Sequence, residues 1–203
     1  MSVFNVKKYK VAKRLGAGVY EKTQTQKFML SQSRGAKRGK RPKRPTDYGK
    51  QLIEKQKVRF MYGVRERQFG NYIKEATQKS GGITPAQKLF TLLERRLDNT
   101  VFRLGVAHTR GMARQMVSHG HFLVNGKKTT VPSYRLQEGD VIEIRPGSAD
   151  RACFAELDKK IKNHTMPAWL NWESKKSKGQ VKGEPKNPDA FLDFQAVIEF
   201  YSR

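Results

Sequence analysis

TRGMARQMVSHGHFLVNGKK, Thr109 to Lys128, is the stretch whose reading decides the fold. Placed at about 100° per residue, Met112, Ala113, Met116 and Val117 share one side of a helix, while Arg110, Arg114, Gln115, Ser118 and His119 share the other. Thr109 is an N-cap residue type and Gly120 suits the left-handed position that ends a helix, so the spacing predicts a helix over 110–119. Phe122 and Val124 then alternate with exposed positions, and Asn125-Gly126 is a strong two-residue hairpin signal with Lys127 and Lys128 just past its tip. A short helix with a wet side of arginine, serine and histidine leads straight into a lysine-tipped hairpin.

Working outward, DVIEIRP alternates Ile142 and Ile144 against Val141, Glu143 and Arg145 and follows the turn residues Glu138, Gly139 and Asp140, which predicts a further strand. Upstream, PAQKLFTLLERRLDNTVFRLG carries Leu89, Leu93, Leu97, Val101 and Leu104 on one stripe and Arg95, Asn99 and Arg103 on another, with Thr84-Pro85 as its start and Gly105 as its stop. The pattern fits one continuous helix and equally two that break near Asp98. The order is helix, helix, then a small antiparallel sheet.

Tyr48 to Ser80 is also helical in pattern. Leu52, Ile53, Gln56, Phe60, Val64, Phe69 and Ile73 recur at the spacing of one or two amphipathic helices, and Lys50, Lys55, Lys57, Arg59, Arg65, Arg67 and Lys74 occupy the other positions. Residues 1–47 are poor in large aliphatics and end in SRGAKRGKRPKRPTDYG, where Arg34, Lys37, Arg38, Lys40, Arg41, Lys43 and Arg44 alternate with Gly, Pro and Ser. Such a stretch reads as an extended or poorly ordered arm that orders only when phosphates neutralise it. At the other end, PAWLNW holds both tryptophans, read as pinning a returning tail, and DAFLDFQAVIEFYSR is apolar enough to dock as a strand or short helix.

The whole chain shares this bias. Its 203 residues carry 42 Lys and Arg against 18 Asp and Glu, a formal net charge of +24. Such a field repels itself unless a polyanion neutralises it. Nucleic acid and the anionic membrane surface are the candidate polyanions, and no apolar run reaches the roughly 18 residues of a membrane span, which argues against insertion. MSVFNVKKYKVAKRL lacks the apolar core and cleavage site of a secretory signal, and the mature chain is expected to begin where the sequence begins. Cys153 is the single cysteine, which excludes an internal disulfide and fits a reducing cytoplasm. No catalytic residue is identified: Asp47, Glu54, Glu66 and Glu75 form no paired-carboxylate site, and no Gly-rich phosphate loop or Ser/His/Asp set is present. His119 and His121 lack thiol or carboxylate company and read as surface or RNA-facing, not as metal ligands. A DNA-binding helix-turn-helix is disfavoured because the charge spreads over the whole length and a hairpin follows the short helix.

The run LLERRLDNTVFRLGVAHTRGMARQMVSHGHFLVNGKKTTVPSYRLQEGDVIEIRP closely resembles the small RNA-binding module first named for ribosomal protein S-four of the small subunit. DYGKQLIEKQKVRFMYGVRERQFGNYIKEA resembles the helical domain that precedes the module in that protein family, and VIEFYSR its C-terminus. The resemblance implies an α+β fold: a mainly helical N-terminal domain with a basic arm, a module of two helices on a short antiparallel sheet, and a C-terminal tail returning to the body. The boundaries expected are 1–47 for the arm, 48–92 for the helical domain, 93–157 for the module and 158–203 for the tail.

The function it implies is that of a structural constituent of the small ribosomal subunit. Such a protein is an early binder of small-subunit rRNA, seated at a multi-helix junction of the 5′ domain, where it nucleates assembly and influences decoding accuracy. The implied partners are rRNA, neighbouring small-subunit proteins and messenger RNA at the entry path, with no membrane, small-molecule substrate, cofactor or metal. The location is cytoplasmic, or an organellar ribosome. Matched residue by residue, the module's RNA-facing positions fall on Arg95, Arg103, Thr109, Arg110, Arg114, Ser118, His119 and Lys127. Those of the helical domain fall on Tyr48, Lys50, Lys57, Arg59, Arg65 and Arg67. TQTQKFMLSQSRGAKRG departs from the zinc-holding relatives in having no cysteine, which implies a zinc-free form. Charge reversal at Arg110 or Arg114 is expected to weaken RNA binding and leave the fold intact.

Overall fold

A computed structural model describes residues 7–36, 46–78, 82–154, 157, 161, 164–174, 177–186 and 191–202. It divides into two compact units, one formed by residues 90–187 and the other by the chain before 90 together with 188–203.

In the unit that contains the chain before residue 90, α1 is Lys8–Leu15, α2 Gln26–Ala36, α3 Asp47–Tyr62 and α4 Glu66–Thr77. The segment expected to be an extended arm is therefore largely helical through residue 36, with Ala12, Leu15, Val19 and Phe28 buried. That expectation is corrected for residues 7–36: four well-spaced apolar side chains suffice because α1 and the turn Ala17–Val19 lean on α3. Lys37, Arg38, Lys40, Arg41, Lys43 and Arg44 lie outside the described residues. The hydroxyl of Thr46 caps α3 by accepting from the Gly49 amide at 3.2 Å. Gly63, at φ +61°, closes α3 with its N–H on the carbonyls of Arg59 and Phe60, so the pattern resolves into two helices. The C-terminal helix α8, Phe194–Tyr201, is capped by Asp193 and packs on α3.

The second unit begins within α5, Pro85–Glu94, whose start is capped by the Thr84 hydroxyl at 3.3 Å from the Gln87 amide. Then follow α6, Leu97–Arg103, and α7, Arg110–Ser118, with the Thr109 hydroxyl accepting from the Met112 amide at 3.1 Å. The continuous leucine stripe thus spans two helices. Arg96 is extended between them, and the amides of Leu97 and Asp98, which lack helical partners, donate to the carbonyls of Tyr134 and Pro132. The stripe itself is fully buried from Leu89 to Leu104.

The sheet is antiparallel in the order β2-β1-β3-β5-β4, with β1 Phe122–Val124, β2 Lys127–Lys128, β3 Val141–Ile144, β4 Leu170–Glu173 and β5 Lys178–Val181. Asn125 and Gly126 both take positive φ, +50° and +77°, as the tight turn between β1 and β2 requires. Phe122, Val124, Ile142 and Ile144 point inward against α6 and α7 residues Val101, Ala113 and Val117 in one core.

Strands β4 and β5 were not legible as strands. They extend the sheet beyond β3, with Val141 facing Gln180 and Trp172 facing Gly179. Gly179 is required there: a β-carbon would stand 2.7 Å from Leu104 Cδ1 and 3.2 Å from the Trp172 ring. The tryptophans are thus part of the module's core, Trp169 buried and Trp172 packed against it.

Candidate nucleic-acid interface

Helix α7 buries Ala113, Met116 and Val117 and leaves Ser118 and His119 exposed at its end, with Thr109, Arg110 and Arg114 half-buried. Gly120, at φ +70°, ends it, and a β-carbon there would lie 2.5 Å from Lys128 Cε. The hairpin lysine therefore crosses directly over the end of α7. Lys127 beside it is exposed, so His119, Ser118 and the lysine-tipped turn share one neighbourhood.

The arginines are more constrained than a wet face implies. Arg114 donates through Nε at 2.8 Å and Nη2 at 2.6 Å to Oδ2 of Asp98, and Arg96 donates through Nε at 3.0 Å and Nη2 at 2.8 Å to the same carboxylate. Asp98 and Arg96 are only 3 % and 2 % exposed. Arg103 grips the Glu94 carboxylate with both a 2.9 Å and a 2.8 Å bond, and Glu94 is 1 % exposed. Asn99, expected beside the arginines on the polar stripe, is instead buried. It donates to Glu94 at 2.9 Å and accepts from Arg110 Nε at 2.8 Å. The Arg110 guanidinium also lies 4.4 Å from the centre of the Phe102 ring. Arg95 reaches Glu184 at 3.2 Å.

This arrangement corrects two expectations. Charge reversal at Arg114 would set a carboxylate against buried Asp98, so the fold would not tolerate it untouched. His121 is not on the surface: it is buried, with Nδ1 3.0 Å from the Ser148 hydroxyl and its ring edge-on to Phe154. Burial, reinforced by the charges of Arg151, His119 and Arg145, holds its pKa below the ordinary histidine value.

In the other unit, Arg34, Tyr48, Lys50, Arg65 and Arg67 are exposed, whereas Lys57 and Arg59 are half-buried. Lys50 pairs with Asp47 at 2.9 Å and Lys57 with Glu54 at 2.6 Å. Arg59 donates twice to Gln56 Oε1, at 3.0 and 2.8 Å, and comes within 3.4 Å of Glu66. Tyr48 lies against Phe200, ring centres 5.4 Å apart. Lys55, which the helical pattern places among the polar positions, is instead buried between Glu66 and the rings of Phe200 and Tyr201. The Tyr201 hydroxyl donates to the same Glu66 at 2.8 Å. Burial alone would raise the Glu66 pKa, but the bonds from Lys55 and Tyr201 and the nearby cations outweigh it and lower it.

Planar, multiply bonded guanidiniums near exposed lysines suit phosphate oxygens on a curved backbone. Among the described residues no cluster of three or more His, Cys, Asp or Glu could hold a metal, and no helix is long and apolar enough to cross a membrane.

Comparison with known proteins coincides with this geometry. The family profile described as "Ribosomal protein S4/S9 N-terminal domain" matches residues 4–94, and the profile described as "S4 domain" matches residues 95–142. The "Small ribosomal subunit protein uS4" of Chloroflexus aurantiacus is 44 % identical over 203 residues, covering 96 % of both chains. The chain belongs to the uS4 family of small-ribosomal-subunit proteins. The uS4 proteins of Aquifex aeolicus, 40 % identical over 204 residues, and of Syntrophomonas wolfei, 44 % identical over 165, place it there too. They cover 96 % and 80 % of the chain, respectively. The junction between the two family profiles falls at 94/95, between the buried carboxylate Glu94 and the extended break that starts α6. The family is one of structural ribosomal proteins, not enzymes.

Proposed function

We propose that this chain is a primary binder of small-subunit rRNA that nucleates subunit assembly at a multi-helix junction of the 5′ domain. The observation that carries the reading is the end of α7. There Ser118 and His119 are exposed where Lys128 of the hairpin crosses Gly120, and along α6 and α7 Arg103, Arg110 and Arg114 are held in fixed orientations by Glu94, Asn99 and Asp98, in a chain of net charge +24. Folded RNA is recognised chiefly by shape and by backbone contacts, and pre-oriented guanidiniums suit a backbone of fixed shape.

Phosphate neutralisation is shared between this face, with Arg95 and Thr109, and the exposed cations of the other unit, Arg34, Lys50, Arg65 and Arg67. Tyr48, Lys57 and Arg59 flank the latter, and the basic segment containing Lys37, Arg38, Lys40, Arg41, Lys43 and Arg44 adds density of one sign. The same reading gives neighbouring small-subunit proteins and messenger RNA at the entry path as further contacts, an influence on decoding accuracy, and a cytoplasmic ribosome as the location. The test is binding to full-length small-subunit rRNA across a salt series. The affinity should fall by about 0.7 to 0.9 decade per decade of salt for each phosphate neutralised. An affinity that does not change with salt would refute the reading.

A further inference from the structure

Glu94 is a buried anion in the middle of a cationic face, and nothing in phosphate binding calls for one. Its carboxylate accepts Arg103 Nε at 2.9 Å and Nη2 at 2.8 Å, and Asn99 Nδ2 at 2.9 Å. Because a carboxylate can only accept, Asn99 must turn its amide nitrogen inward. Its oxygen is left to receive Arg110 Nε at 2.8 Å. One buried anion thereby fixes Arg103 directly and Arg110 through Asn99. It also cancels a charge: the Arg103 side chain is 19 % exposed, so solvent and ligand reach it, yet its counter-ion is permanently built in.

We propose that Glu94 is a positioning and specificity-determining residue for RNA. It converts Arg103 from a mobile cation, able to neutralise any phosphate, into a fixed fork that engages only a backbone of matching shape. A mobile guanidinium raises affinity for every polyanion alike, whereas a fixed one discriminates. The proposal rests on the reading that the α7 face binds RNA.

The test measures binding of the full chain to full-length small-subunit rRNA and to bulk transfer RNA over a salt series. For Glu94→Gln the affinity for transfer RNA should rise, its salt dependence should steepen by about 0.7 to 0.9 decade per decade, the contribution of one phosphate, and the ratio of the two affinities should fall about ten-fold. The double variant Glu94→Gln/Arg103→Gln restores the parent net charge. It should recover the parent salt dependence while the ratio stays low. A folded Glu94→Gln chain with parent slope and parent ratio overturns the proposal. So does a Glu94→Gln chain that is unfolded by circular dichroism while the double variant folds and discriminates as the parent does, since the carboxylate then serves folding alone. Lys127→Glu is the control for the underlying reading: if it leaves rRNA affinity unchanged, the face is not the RNA face, whatever Glu94 does.

Discussion

Replacing Asp98 with alanine should be among the most damaging single changes in the chain. Its carboxylate accepts two bonds each from Arg96 and Arg114, at 2.6 to 3.0 Å, and Arg96 is almost wholly buried. Truncation leaves a guanidinium inside the protein with its principal anion gone. Breaking a buried pair in this way costs about 3–5 kcal/mol, where a solvent-exposed pair costs about 0–1 kcal/mol. A domain is held by only about 5–15 kcal/mol, so the loss is a large share of the total. At about 2–4 °C per kcal/mol for a chain of this size, the melting temperature should fall by roughly 6–20 °C.

The assay is urea and thermal unfolding followed by tryptophan fluorescence, because Trp169 and Trp172 both pack on the core that contains the α6–α7 pair. Removing the orphaned cation as well, in Asp98→Ala/Arg96→Met, should recover part of the loss, since a buried pair replaced by apolar groups is often tolerated. A loss below about 1 kcal/mol for Asp98→Ala would refute the reasoning and place the network among ordinary surface ion pairs.

Other changes should report on other parts of the structure. Gly179→Val drives a side chain into Leu104 and Trp172 and should cost about 1–3 kcal/mol in urea unfolding, with no loss if β5 does not pack there. His121 is held neutral in the fold, so its contribution to stability is complete above the unfolded histidine pKa of about 6.5 and is lost as pH falls through its lowered folded value. His121→Gln should flatten that acid limb of the stability curve. Tyr201 has its pKa raised by burial and by the bond to Glu66, so stability should decline as pH rises above about 10, and Tyr201→Phe should make that alkaline limb shallower, leaving the part due to Tyr20, which burial also raises.

Periodicity carried much of the fold. The leucine stripe, the Thr84 and Thr109 caps and the Asn125-Gly126 turn are local devices, each written in a few adjacent residues, and each stands where the sequence places it. The N-terminal helices escaped because their core is made of isolated residues, Ala12, Leu15, Val19 and Phe28, and α3, on which α1 and the Ala17–Val19 turn lean, is distant in sequence. Strands β4 and β5 escaped because only Leu170, Trp172 and Val181 mark their inward faces, and a glycine takes the place of a fourth. In LNWE the alternation was present and could have been used.

The candidate face was legible as a direction and not as a mechanism. Helical phase tells which side Arg110 and Arg114 occupy. It does not tell that Asp98, an ordinary charge in a helical sequence, folds inward to grip Arg114, or that Glu94 holds Arg103 directly and Arg110 through Asn99. The spacing does contain a clue: Glu94, Asp98 and Arg103 flank the same leucine stripe that the core buries, so a carboxylate there has few ways to remain in water.

The central claim is that this chain grips one particular RNA structure, beyond being a cation of high charge. Backbone protection of full-length small-subunit rRNA, with and without the chain, at fixed moderate salt and with excess competitor RNA, tests it most directly. Protection confined to one multi-helix junction and surviving the competitor is the predicted result. Diffuse protection that the competitor removes would contradict it.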